Sequence, residues 1–162
     1  MSIKPIKPLV SLMLCVSTLI ANASDQPQLC EQLQNFVQAS TTQESHVELS
    51  MFWGVRTEGN RITLSERLCN HSDGKAEKQL CAYLLPNSSS EFPDLNFRRA
   101  VTCLQGYDPF AGKTRLIIRD IKLNFYEPKL VDFPVEVELE LKRKEDVMLM
   151  RISAKRDKND IN

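Results

Sequence analysis

The chain contains no Cys-x-x-Cys pair, so it lacks the close dithiol that thiol–disulfide exchange catalysts use. It has only two histidines, His46 and His71, which leaves little material for imidazole catalysis or metal ligation. No serine sits in the glycine-flanked elbow of an acyl-transfer nucleophile. Ser88, Ser89 and Ser90 simply stand in a row. Phe110-Ala111-Gly112-Lys113-Thr114 resembles a fragment of a phosphate loop, but the required earlier glycine is absent and a strand pattern follows. Neither sign of charge is in excess, with 21 basic and 21 acidic residues, so the electrostatic footprint of a nucleic-acid binder is missing. Internal repeats and low-complexity tracts are missing too.

What is present begins with the front of the chain. Lys4 and Lys7 precede an uncharged apolar run from Leu9 to Ile20, and Ala21-Asn22-Ala23 then fits a signal-peptidase site. This order predicts a signal peptide over residues 1–23. The run is too short for a permanent membrane helix, and no later stretch is long and apolar enough, so no stable span is expected after cleavage. Cys15 lies inside the run, behind Leu14 rather than a small residue, and reads as a hydrophobe in a removed segment. Loss of Lys4 and Lys7 leaves 19 basic against 21 acidic residues, a formal charge of −2. Residues 24–154 are expected to form a single exported domain, periplasmic or secreted, with 155–162 as a flexible polar tail.

Four cysteines remain: Cys30, Cys69, Cys81 and Cys103. An even set in an exported chain predicts disulfides. Three connectivities are open. The nested set, Cys30–Cys103 with Cys69–Cys81, is preferred, and Cys69–Cys103 with Cys30–Cys81 is the main rival. Cys69, His71 and Cys81, with His46, have the residue types of a tetrahedral zinc site. Their spacing is unlike the close cysteine pairs of such sites, and zinc would leave Cys30 and Cys103 to pair alone. Neither a metal nor a cofactor is expected.

The architecture reads as α+β: a helical, disulfide-linked N-terminal half packed on a mainly antiparallel sheet of about four strands. Leu29, Leu33, Phe36 and Val37 recur at helical spacing and predict a helix over 26–40. Ala76, Leu80, Cys81 and Leu84 predict a second, capped by Ser72 or Asp73 and ended by Pro86, with Glu77 facing water. A third is expected over about 94–105. HVELSMFWGVR alternates, with Val47, Leu49, Met51, Trp53 and Val55 facing in and Phe52 facing out. RITLSERL has weak strand periodicity. KTRLIIRDIKLNFY and VDFPVEVELELK are strands, RKED is a turn, and VMLMRISA returns as another strand. Pro134 marks an edge strand or a strand start.

Functional candidates are surface features. Glu91, Asp94 and Asp108 are the carboxylates a hydrolase would draw on, yet nothing in the sequence sets two of them across a scissile bond. No catalytic residue is assigned, and a non-enzyme is favoured. Glu136, Glu138 and Glu140 alternate and must share one strand face, where they and the outward Phe52 form the candidate partner surface. Asn70 and Asn87 each begin an Asn-x-Ser triplet in segments read as loops. The expected function is a small exported protein-binding domain, an inhibitor or immunity factor acting on an enzyme or toxin. Its partner would be a protein of the cell envelope or extracellular space, not nucleic acid. An envelope accessory protein binding a small ligand and a hydrolase using acidic residues are the alternatives.

Overall fold

The computed structural model describes residues 25–112 and 120–156. The expected signal peptide over 1–23, the part of the expected strand KTRLIIRDIKLNFY that covers 113–119, the rest of the phosphate-loop-like fragment after Gly112 and the expected tail from 157 lie outside the described residues. The element order is α1 (Asp25–Ala39), β1 (Ser45–Glu58), β2 (Arg61–His71), α2 (Lys75–Asn87), α3 (Pro93–Gln105), β3 (Ile121–Phe125), β4 (Val135–Lys144) and β5 (Val147–Arg156). The five strands form one sheet in the order β2-β1-β5-β4-β3, and every neighbouring pair is antiparallel. The class is α+β with the helices in the N-terminal half. The sheet has five strands rather than about four. The additional one is the weakly periodic RITLSERL segment, which pairs with β1 from Arg61 to His71. An edge strand hydrogen-bonds on one side only, so it forms without a fully apolar face.

One core joins helices to sheet. Leu33, Phe36 and Val37 of α1, Leu80 of α2, Phe97 of α3 and Leu139 of β4 are all at or near zero exposure. The alternation in β4 is complete: Val135, Val137, Leu139 and Leu141 are buried, while Glu136 is exposed. Each such aliphatic side chain contributes roughly 1.5–3 kcal/mol when fully buried. β4 begins right after Pro134 and lies inside the sheet, so the proline marks a start and not an edge. β5 continues through Lys155 and Arg156, two residues into the expected tail. Arg156 is tied down by its N–H donating to the Thr41 carbonyl at 2.9 Å and by its guanidinium lying 4.1 Å from the Phe133 ring centroid.

Local details depart from the expected helix ends. α2 is preceded by Gly74 at the cap position, and neither Ser72 nor Asp73 caps it. The Ser72 hydroxyl accepts instead from the His46 N–H at 2.7 Å. Glu77 is buried, not water-facing. Its carboxylate folds back over Gly74, where any Cβ would collide with it. Pro86 lies inside the last turn of α2, which ends one residue later at Asn87. The link from α2 to α3 is held by buried Asn96, which accepts from the Ser89 N–H at 2.9 Å and donates to the Ser89 carbonyl at 2.7 Å.

Candidate functional site

The cysteines form the nested pair of disulfides. Cys30–Cys103 spans 73 residues with 5.0 Å between Cα atoms, and ties α1 to α3. Cys69–Cys81 spans 12 residues with 5.7 Å between Cα atoms, and ties the end of β2 to α2. A sulfur in a disulfide is no thiolate, so Cys69 and Cys81 cannot serve the zinc arrangement with His71. His71 is the last residue of β2 and is half-buried. Asn70 likewise lies in β2 rather than a loop, and is exposed. Asn87 is the last residue of α2, and its side-chain amide donates to the Tyr83 carbonyl at 2.8 Å.

Among the suspected carboxylates, Asp108 is an ion-pair partner. It accepts from Arg98 at 2.7 Å and from the Phe110 N–H at 2.8 Å. The Arg98 hydrogen bond holds its carboxyl below the ordinary carboxylate range. A general acid working near neutrality needs the opposite shift.

The expected roles of Phe52 and Trp53 are exchanged. Phe52 does lie on the outer sheet face, away from the helices, but it is 5% exposed. Trp53 shares the inward parity of Val47, Leu49 and Met51, yet it is 56% exposed. Parity assigns a face; it does not supply cover. Arg56 lies 4.1 Å above the Phe52 ring and covers it. Between Trp53 and Arg56 the register with β2 shifts, with one residue more on β1 than on β2. Gly54, at φ 154°, sits in that step. A Cβ there would meet the Phe52 ring at 3.4 Å.

Around Phe52 the outer face forms a shallow concavity of about 310 Å³. Its floor is Phe52, Leu68, Val147 and Leu149, with Ser50 between them. Its rim is charged: Glu48, Glu66, Arg56, Lys144 and Glu145. Arg56 bridges the rim, with Glu66 of β2 at 3.4 Å on one side and Asp146 of the β4–β5 turn at 2.7 Å on the other. The hydrogen bond to Asp146 raises the Arg56 pKa, and the same bond lowers that of Asp146. Glu145 holds φ at 56°, a left-handed conformation uncommon for a residue with a side chain.

Beside this concavity the sheet edge is apolar. Val55, Ile62, Leu64 and Leu68 are between 55% and 74% exposed. Cys69 faces the helices, because it is bonded to α2. Alternation along β2 therefore puts Leu68, Leu64 and Ile62 on the outer face. The weak amphipathicity of RITLSERL hides this feature in the sequence. Its signal was the parity of Ile62, Leu64 and Leu68 against Cys69.

Glu136, Glu138 and Glu140 do share the outer face, but they do not form a bare acidic stripe. Glu138 pairs with Lys122 at 2.6 Å and Glu140 with Lys142 at 3.2 Å. Glu136 stands opposite Lys155 in the ladder with β5. The Glu138 hydrogen bond raises the Lys122 pKa. β1 and β5 separate this charged strip from β2. Among the described residues no helix is long and apolar enough to cross a membrane, and no cluster of three metal-ligating side chains occurs. No protein-family model, curated protein or solved structure matches this chain.

Proposed function

We propose that this chain is an exported protein-binding domain of the inhibitor or immunity-factor type, acting on an enzyme or toxin in the periplasm or outside the cell. The observation that carries the reading is the outer surface of the β1–β2 hairpin. Its exposed aliphatic side chains adjoin a concavity with an apolar floor and a charged rim, in a molecule whose core is otherwise fully formed. Contiguous exposed apolar surface of this kind marks interaction sites. An apolar centre inside a polar margin is also how protein interfaces are composed. Glu136, Glu138 and Glu140, with their paired lysines, would lie at the polar margin of such a contact. Two disulfides accord with an oxidising compartment, and the signal-like residues 1–23 accord with export.

The test is capture from envelope and secreted fractions of the source organism on immobilised, disulfide-intact protein. A partner retained by the wild type should be lost with the double variant Leu64→Ser, Leu68→Ser. Equal retention by both would remove this surface from the site. No specific partner at saturating bait would remove the protein-binding reading itself. The concavity also favours a second reading, an accessory protein that binds a small amphipathic ligand. A rise in unfolding temperature with such a ligand, blunted by Leu68→Ser, would select it.

A further inference from the structure

We infer that the Phe52 concavity receives a basic, extended segment of the protein partner. The segment sets one cationic side chain over Glu48, an aliphatic one on the floor and a second cationic one beside Glu145. This deepens the protein-binding reading and rests on it. The concavity runs lengthwise along β1. Glu48 stands at one end, in a row across the sheet with Asn70 of β2 and Arg151 of β5. Ser50 follows between Leu68 and Leu149, and Phe52 between Glu66 and Val147. Val147 pairs in turn with Lys144, so Glu145, in the β4–β5 turn, borders the other end.

Charge selects the occupant. Arg56 is satisfied by Glu66 and Asp146. Arg151, opposite Glu48, is bonded to Glu44 at 3.1 Å. Among the described residues Glu48 and Glu145 make no ion pair, and Lys144 is the one unpaired cation on the rim. The rim therefore lacks positive charge at both ends of an apolar floor. Complementary charge steers a partner and fixes its register. Lysine and arginine suit the site doubly, because their aliphatic stems lie on apolar surface while the charged head reaches a carboxylate. Glu145 adds an independent observation. Among the described residues it is the only one other than glycine with a positive φ, at 56°. Glycine fills such a position in a hairpin turn without strain. Here a carboxylate is held there, on the rim of a concavity, and strain of this kind clusters at ligand clamps. Spacing gives the pattern. Glu48 and Phe52 lie four residues apart, about 14 Å along a strand. An extended segment of that length turns residues i, i+2 and i+4 to the sheet. The segment therefore reads basic, any, aliphatic, any, basic.

Titration of the disulfide-intact protein with an acetylated, amidated Lys-Thr-Leu-Thr-Lys peptide, read by backbone amide NMR shifts, tests this. The method registers weak binding and locates it. The expected result is a saturable shift at Ser50, Phe52 and Leu149 that a Glu-Thr-Leu-Thr-Glu peptide does not produce. Glu48→Gln combined with Glu145→Gln should weaken the lysine peptide about fivefold, the scale of two partly exposed ion pairs, and added salt should weaken it too. Glu145→Gly should also weaken it without lowering the unfolding temperature, which separates lost contact from lost fold. Three results each overturn the inference: no shift at the concavity up to the solubility limit of the peptide, an equal response to the glutamate peptide, or unchanged affinity in the double glutamine variant. A protein partner captured on this surface while the lysine peptide gives no shift overturns the basic segment and leaves the protein-binding reading standing. A peptide response with no captured partner supports the basic preference and counts against the wider reading alone.

Discussion

The molecule contains two hairpins built to similar plans and finished differently. β4 and β5 are joined by Glu145-Asp146, and β1 and β2 by Gly59-Asn60. In β4 and β5 most aliphatic side chains lie under the helices, and Leu139 and Ile152 have no exposure, while Val147 and Leu149 face outward. In β1 the residues Val47, Leu49 and Met51 obey the same rule, but Trp53 and Val55 nearer the turn, and Ile62, Leu64 and Leu68 on the outer face of β2, stand largely in solvent. The turns differ in the reverse sense. The exposed hairpin uses glycine at the left-handed position, with Gly59 at φ 59°, while the buried one holds Glu145 at φ 56°. One hairpin is therefore apolar for folding. The other carries apolar side chains that folding does not use.

The sharpest break in that comparison is a leucine truncated on each hairpin. Leu139→Ala should lower stability by roughly 2–5 kcal/mol, through lost transfer energy and the cavity left behind. Leu64→Ala should stay within about 0.5 kcal/mol, as exposed substitutions do. Denaturant midpoints at constant slope would read both. A large loss at Leu64 would mean that the outer hairpin is structural after all.

The disulfides extend the comparison. Replacing Cys30 and Cys103 by serine should cost about 4 kcal/mol in the loop-closure model. Opening Cys69–Cys81 should cost roughly 1–2 kcal/mol less, because its loop is 12 residues rather than 73. Urea unfolding of each pair variant would rank them, and an inverted order would show that Cys69–Cys81 holds more than a local turn.

The turns should respond oppositely. Glu145→Gly relieves about 1–2 kcal/mol of left-handed strain, offset by roughly 0.4–1 kcal/mol of added freedom in the unfolded chain. A small net gain in unfolding temperature is expected. Gly59→Glu should lower it by a comparable amount. Stabilisation by Gly59→Glu would contradict the backbone reasoning.

The smallest effects are electrostatic. Arg98 and Arg56 lower the carboxyl pKa values of Asp108 and Asp146. Depressed carboxyls contribute stability above their unfolded value, near 3.9, and lose it as pH falls through the folded values. Unfolding temperature should therefore drop below about pH 4, and Asp108→Asn should flatten that drop. Both pairs are partly solvated, so the change should be slight.

Much of the fold was legible because several segments carry a single strong period. Leu29, Leu33, Phe36 and Val37 mark α1, and Val135 through Leu141 mark β4. That the four cysteines pair was legible from their even count, but the nested connectivity was only the preferred one of three until the fold brought Cys30 to Cys103 and Cys69 to Cys81. β2 was not, because an edge strand needs no apolar inner face and RITLSERL has Thr63, Ser65 and Arg67 where a core strand would have aliphatics. The surface was misread for a related reason. Alternation placed Phe52 outward and Trp53 inward correctly, but exposure depends on what lies above each residue. Arg56 reaches Phe52 from four positions away, and Trp53 stands largely in solvent; neither fact has a local signature. Nor did the glutamate stripe reveal its neutralisation. Lys122 reaches Glu138 from β3, a strand whose register could not be read from either segment alone.

The most direct single measurement compares partner retention by the wild type and by Leu64→Ser, Leu68→Ser at matched unfolding temperature. Loss of retention with folding intact is the predicted result. Equal retention by an equally stable variant would contradict it.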